Sequence, residues 1–277
     1  MSDPIKLSSP ATREFWEIPV LWEDDYLLAL AKPPGLLTSP DRADPERPSL
    51  MPLLHAGVKQ GKAWAQARGL SYLVNAHRLD FETSGVLLLA RSKPVLVALA
   101  NLFGANQPVR IHLALAQGTP ANPQFESEAR LAPHPVIPGR MRVDSRHGKR
   151  SRTQFEVVER FRDCTLLRCR PITERIHQIR VHLQQAGHPV VGDRLYGGSP
   201  LLLSRLKPDY RLKPRRTERP LISQAALHAE RLELAHPVTG APLAITAPWP
   251  KDFSVAVKYL RRYAAVDPGL ESPPSPS

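Results

Sequence analysis

The sequence predicts an α+β domain built on a long, largely antiparallel mixed sheet flanked by helices and loops. Three observations lead there. Short apolar runs recur in pairs around polar turns, which is the pattern of hairpins. One run, Val86-Leu87-Leu88-Leu89-Ala90, is apolar without interruption and reads as a buried strand. Helical periodicity is confined to a few segments, so strands outnumber helices. With 277 residues, 42% of them apolar, the chain has material for one large core or two small ones.

The elements follow in order. The first dozen residues are polar and read as an arm, placed at 1–17. Val20 to Leu30 reads as strand, turn, strand around Glu23-Asp24-Asp25. Lys32-Pro33-Pro34-Gly35 ends the second strand and bends the chain. Ser49 can cap a helix through about Lys59. Ser92-Lys93-Pro94 starts another, with Val95 to Phe103 as a buried helix. From Val109 to Ala116 the pattern alternates, pointing Val109, Ile111, Leu113 and Leu115 one way and Arg110, His112, Ala114 and Ala116 the other. Thr153 to Arg170 reads as two strands around an Arg162-Asp163 turn. A helix is expected after Thr173 as N-cap, with Ile176, Ile179, Leu183 and Ala186 as its apolar stripe and Gly187 as its stop. Leu227 to Leu234 and Leu243 to Thr246 pair around Pro237-Val238-Thr239-Gly240. From about Ala264 the chain is rich in Pro and Ser, so 264–277 reads as a disordered tail. No internal repeat is present.

Charge points to a partner. The formal net charge is +12 and the pI about 10.1. Arg140 to Arg180 holds twelve Lys/Arg against five Asp/Glu, and Arg205 to Arg219 holds seven against two, so these two segments carry the whole excess. A solvated face would mix both signs, so a polyanion, nucleic acid first, is the better reading. Neither segment forms the amphipathic, aromatic-sided helix of a membrane-surface binder. Cys164 and Cys169 lack neighbouring ligand patterns and read as strand residues in a reduced compartment, with no metal site and no cofactor implied. The N-terminus lacks a signal-peptide apolar region, and no apolar run reaches membrane-spanning length. A soluble cytoplasmic protein is expected, and a monomer, since nothing demands a partner chain.

The chemistry concentrates in His77-Arg78-Leu79-Asp80-Phe81-Glu82-Thr83-Ser84-Gly85, directly before the buried strand. A carboxylate on a turn that feeds such a strand is held rigidly and can serve as a nucleophile. The competing reading is a turn in which Asp80, Thr83 and Ser84 bond only their own backbone and Gly85 supplies a left-handed conformation.

The whole string resembles the central motif of the RluA-type RNA pseudouridine synthases, His-Arg-Leu-Asp-x-x-Thr-Ser-Gly followed by an aliphatic strand. Further segments resemble the family in the same order: Glu23-Asp24-Asp25 with Lys32-Pro33-Pro34-Gly35, Gly148-Lys149-Arg150-Ser151-Arg152-Thr153, Arg175-Ile176-His177-Gln178-Ile179-Arg180-Val181-His182, Gly192-Asp193 through Tyr196-Gly197, Ala226-Leu227-His228-Ala229, and His236-Pro237. The likeness covers roughly residues 18 to 253, and the outer matches read as support for the fold. It implies a pseudouridine-synthase-like catalytic domain over 18–263. The implied activity is isomerisation of uridines in structured RNA, rRNA or tRNA, without metal or cofactor.

The same resemblance implies roles for residues. Asp80 corresponds to the nucleophile and Arg180 to the arginine that pairs with it; the alternative for Arg180 is a surface position on an amphipathic helix. Arg78 corresponds to the arginine that fills the stack left by the flipped uridine, a role a planar guanidinium suits; its alternative is a salt bridge with Glu82. His77, Arg78, Arg110, Arg175, His177 and Gln178 are expected at the substrate. Two positions depart from the pattern. His112 stands where the family has tyrosine, and it either stacks on uracil and moves a proton or only contacts RNA. Glu174 stands where the family has glycine and brings negative charge towards a phosphate site. These departures keep open an RNA-binding protein of the same fold with reduced or lost activity. A nucleoside glycosidase is more distant, since it uses two carboxylates and one clear candidate is present.

Overall fold

The apolar run Val86 to Ala90 is buried because it is covered twice. Leu87 and Leu89 face a core that includes Leu50, Leu54, Leu28 and Leu30, while Val86, Leu88 and Ala90 face one that includes Val95, Leu99 and Leu27. A strand with one wet face would alternate; a strand with two dry faces need not. The computed structural model in which this is seen describes residues 3–9, 12–41, 44, 46–212 and 216–266.

Among the described residues the strands are β1 (Ile5–Ser9), β2 (Glu14–Ile18), β3 (Val20–Glu23), β4 (Leu27–Lys32), β5 (Val74–Asn75), β6 (Ser84–Ala90), β7 (Val109–Gln117), β8 (Gln124–Pro133), β9 (Met141–Val143), β10 (Lys149–Arg160), β11 (Cys164–Pro171), β12 (Leu227–Ala235) and β13 (Pro242–Thr246). The helices are α1 (Leu50–Lys59), α2 (Ala63–Gln66), α3 (Lys93–Gly104), α4 (Gln178–Gln185), α5 (Leu203–Leu206) and α6 (Lys251–Tyr263), with a 3-10 turn at Arg194–Tyr196. The large sheet runs β3-β4-β6-β12-β7-β11-β10-β8-β9, with β13 beside β12 and β5 beside β6. β6 and β12 are parallel and the other neighbours antiparallel, so the sheet is mixed and largely antiparallel, as expected. None of the described helices is long and apolar enough to cross a membrane.

A third core lies between the β7–β11 part of the sheet and helices α4 and α6, with Leu113, Leu115, Leu166, Ile179, Leu183, Val257 and Leu260 buried in it. Cys164 and Cys169 sit there as free, buried strand residues.

Several expectations need correction. The N-terminal arm is a packed hairpin: β1 and β2 pair, and Ile5, Leu7 and Ile18 are buried against the α1 core. Ile5-Lys6-Leu7 alternates over too few residues to stand out among polar neighbours. Ser49 and Ser92 precede α1 and α3 without a side-chain capping bond, and α3 is amphipathic, burying Val95 and Leu99 while Val97 is exposed. α4 begins at Gln178 and not after Thr173. Its N-cap is His177 in the left-handed region at φ 55°, and Ile176 lies outside the helix, 58% exposed. Thr173 cannot cap because its hydroxyl accepts from Arg152 N–H and donates to Gln178 Oε1. At the C-terminal side α6 was not anticipated, and Ala264 is buried with Ala265 bridged to Phe161, so packed chain runs past 263. The rest of the expected tail, 267–277, lies outside the described residues.

Candidate active site

Asp80 sits in the loop between β5 and β6, and its neighbours on both sides are fastened. The buried Thr38 hydroxyl donates to Leu79 C=O at 3.0 Å and accepts Leu79 N–H at 3.1 Å. Phe81 C=O accepts Gly35 N–H at 2.8 Å, and Thr83 N–H donates to Asp80 C=O. Lys32, buried at the end of β4, donates to Pro33 and Leu36 carbonyls at 2.8 and 2.7 Å and reaches Phe81 C=O at 3.5 Å. Burial pulls its ammonium down to about 7, against the upward pull of Asp80. Lys32-Pro33-Pro34-Gly35 is therefore the clamp on the Asp80 loop. Arg47 lies 3.6 Å over the Phe81 ring on the other flank.

The rest of the nonapeptide builds the support. Ser84 Oγ bonds His228 Nδ1 at 2.9 Å, joining β6 to β12. Gly85 is required by a close approach: a Cβ there would meet Ala229 O at 2.1 Å. The turn reading is thus met in part by the Thr83–Asp80 bond, while Ser84 and Gly85 serve the sheet.

Arg180 projects from α4 and is buried. Its Nε and Nη2 donate to Asp193 at 2.6 and 2.7 Å, and Nη2 also lies 2.6 Å from Glu82. Nη1 lies 3.8 Å from Asp80. Burial opposes the guanidinium charge, but Asp193, Glu82 and Asp80 outweigh it and raise its pKa. Burial pushes Glu82 above the usual carboxylate range, with Arg180 pulling the other way. The structure thus brings Asp80 and Arg180 together, and it uses Glu82 for Arg180, leaving Arg78 exposed and without an ion pair among the described residues.

His177 also reaches the site, with Nε2 3.9 Å from Asp80. Its Nδ1 bonds the Tyr196 hydroxyl at 2.8 Å, which accepts Met141 N–H at 2.8 Å. Burial holds the His177 pKa below its ordinary value, although Asp80 pulls it up. Burial pushes the Tyr196 phenol up to about 12.

Other predicted contacts are placed differently. His77 is buried and stacks on Phe103 at 5.2 Å, while Leu88 N–H donates to its Nε2. Its ring therefore ties the motif to β6 and α3. Burial, then Arg110, drives its pKa to about 3. Gln178 is likewise buried, donating to Arg152 C=O and Thr153 Oγ1, so it anchors α4 and has no amide left for substrate. Arg175, half-buried, donates to Glu174 C=O. Arg110 is buried against the Glu174 carboxylate, so the two charges offset each other. His112 is not among Asp80's ionic partners, which are Arg180 and His177. Burial, then Arg110, lowers its pKa to about 3.

Asp193, Tyr196, Glu82, Lys32 and Thr38 were not foreseen at the site. The Gly192-Asp193…Tyr196-Gly197 segment held two of them but read only as fold support. The assembled geometry offers an accessible carboxylate, a buried guanidinium 3.8 Å from it, and the exposed Arg78 two residues before it. That set can deliver a nucleophile to an electrophilic carbon in a polyanionic substrate.

The chain is similar to known proteins in both sequence and fold. Residues 26–185 match the family model for RNA pseudouridylate synthase. The chain is 37% identical over 252 residues to ribosomal large subunit pseudouridine synthase D of Xylella fastidiosa, covering 89% of this chain and 70% of that one. It is 32% identical over 248 residues to ribosomal large subunit pseudouridine synthase C of Escherichia coli, covering 87% and 70%. In structure it is similar to Human RNA Pseudouridylate Synthase Domain Containing 4, with a TM-score of 0.65 at 23% identity over 87% of this chain and 92% of that one; this likeness is one of fold.

Proposed function

The chain belongs to the RNA pseudouridylate synthase family, and from that premise we propose that it isomerises specific uridines of structured RNA with Asp80 as nucleophile and Arg180 as its charge partner. The observation that carries this reading is the Asp80 carboxylate, one quarter exposed, 3.8 Å from an arginine that is itself buried and held by two other carboxylates. An arginine so placed cannot leave for solvent, so its positive charge stays beside the Asp80 carboxylate when RNA phosphates approach.

Isomerisation breaks the bond from uracil N1 to ribose C1′, turns the base, forms the C1′–C5 bond, releases the C5 proton to solvent and leaves a proton on N1. Atoms balance without redox change, so neither metal nor organic cofactor is needed. Asp80 attacks the ribose or the ring, and Arg180 stabilises the carboxylate before attack and after departure. Arg78, exposed two residues before Asp80, fills the stack vacated by the uridine, which costs a few kcal/mol to flip and least from a loop. His112 offers a neutral ring surface to uracil. Arg175 and the cations of the β9–β10 region, Arg142, Arg146 and Lys149, hold the phosphate backbone. The relatives' names make large-subunit rRNA the first substrate to test, ahead of tRNA. The protein then works as a cytoplasmic monomer.

The alternative, RNA binding with lost activity, drew on His112 and Glu174. The Arg110–Glu174 pair removes the second of these grounds, since the carboxylate is neutralised before RNA arrives. The test is incubation with large-subunit rRNA transcripts tritiated at uracil C5. Isomerisation releases the tritium, and Asp80→Asn abolishes release while RNA binding survives. Absence of release from both unmodified rRNA and tRNA overturns the proposal in favour of the binding-only reading.

A further inference from the structure

Tyr196 is all but fully buried in the 3-10 turn after Asp193, and its hydroxyl has two partners among the described residues. One is Met141 N–H, a donor, which occupies an oxygen lone pair at 2.8 Å. The other is His177 Nδ1, also at 2.8 Å, with the two rings edge-on at 87°. A neutral phenol has one hydrogen to give, and Met141 cannot take it, so it goes to Nδ1. The imidazole hydrogen of neutral His177 must then sit on Nε2, the nitrogen 3.9 Å from the Asp80 carboxylate. At 3.9 Å the contact is electrostatic, and a shift of about 1 Å turns it into a hydrogen bond.

The backbone supports the same assignment. His177 holds φ 55°, a left-handed conformation that is strained for a residue with a side chain. That conformation turns the ring towards Asp80 and Tyr196 at the point where α4 begins, one turn before Arg180.

We propose that Tyr196 and His177 are positioning residues: Tyr196 sets the His177 tautomer, and the His177 Nε2–H group orients the Asp80 carboxylate for attack. The inference rests on Asp80 being the nucleophile. It extends that reading by adding a second donor, independent of Arg180, on the carboxylate. Because Met141 opens β9, the relay also ties Asp80 to the hairpin carrying Arg142.

Nitrogen-15 NMR of the full chain labelled at histidine tests the tautomer without any RNA, so its outcome is separate from that of the isomerase assay. The signal lost in His177→Asn identifies the residue, and asparagine tolerates the left-handed backbone. The expected spectrum has a bare Nδ1 and a protonated Nε2, and Tyr196→Phe shifts it towards the other tautomer. A protonated Nδ1 in the native protein overturns the proposal. In turnover, Tyr196→Phe and His177→Asn are each expected to lower kcat roughly ten- to hundredfold with the KM for RNA within about twofold. Native kcat in either variant, or an equal loss in kcat and RNA affinity, overturns it as well.

Discussion

Arg180 is held by Asp193 through two hydrogen bonds of 2.6 and 2.7 Å, closer than the 3.8 Å that separates it from Asp80. The arginine is therefore anchored by one carboxylate so that it can serve another. Asp193 is fully buried and also accepts Tyr196 N–H at 3.3 Å, which closes the 3-10 turn.

Asp193→Asn keeps the shape and the turn acceptor but removes the charge that anchors Arg180. Breaking one side of a buried pair costs about 3–5 kcal/mol, and Glu82 remains to offset part of it. The expected outcome is a loss of about 3 kcal/mol in urea unfolding, with kcat reduced more than RNA affinity. A variant of native stability and native kcat would show that Glu82 alone fixes the arginine.

Gly85→Ala tests the approach of β12 to β6. The new Cβ would lie 2.1 Å from Ala229 O, inside the backbone of a central strand that cannot move aside. At Gly187, by contrast, a Cβ meets nothing within 4 Å, and only the φ of 81° opposes it. Gly187→Ala is expected to cost about 1 kcal/mol and Gly85→Ala about 3 kcal/mol or more, both read by thermal or urea unfolding. Equal costs would mean that β6 and β12 can move apart at Gly85 to admit a methyl group.

Arg110 and Glu174 replace each other's burden, so a double-mutant cycle should reveal coupling. Arg110→Met alone leaves Glu174 unpaired at the rim, and Glu174→Gln alone leaves a buried guanidinium unpaired, which is the costlier change. The expected coupling is about 1 kcal/mol, with the double variant more stable than the sum of the single losses. Additive losses would show that the pair is incidental.

How much of this was legible follows from range. The string His77 to Gly85 could be read because a nucleophile, its turn and the strand behind it are local and leave a dense residue pattern. Arg180's true anchor could not, since thirteen residues separate it from Asp193 and only packing of α4 against the 3-10 turn joins them. The inward turn of the His77 ring was hidden for a related reason. The residue sits inside the motif, yet its ring turns inward because Leu88 N–H, at the point where β5 pairs β6, needs an acceptor. The helix start was misplaced at Thr173 because a hydroxyl that suits a cap was taken by Gln178. Sheet class survived all of these, since the hairpin patterns of β3–β4, β10–β11 and β12–β13 depend on neighbours in sequence.

The last prediction concerns pH. His182 is fully buried on α4 between Ser151 Oγ, 2.8 Å from Nε2, and Thr153 Oγ1, 2.9 Å from Nδ1. Ser151 spends its hydrogen on Ala129 C=O, so Nε2–H donates to Ser151 and Nδ1 accepts from Thr153. Both ring nitrogens are satisfied only while the ring is neutral. Burial accordingly lowers its pKa from 6.5 to about 4. Below 6.5 the unfolded chain takes up a proton that the folded chain refuses until about 4. Stability from this group is complete above pH 6.5 and is lost as pH falls towards 4, by on the order of 3 kcal/mol in all. His77 and His112, lowered to about 3, act in the same direction. Urea unfolding at pH 7.5 and pH 5 should therefore show the native protein losing about 2 kcal/mol more than His182→Gln across that interval. If the variant keeps the native pH slope, His182 is not held neutral by Ser151 and Thr153.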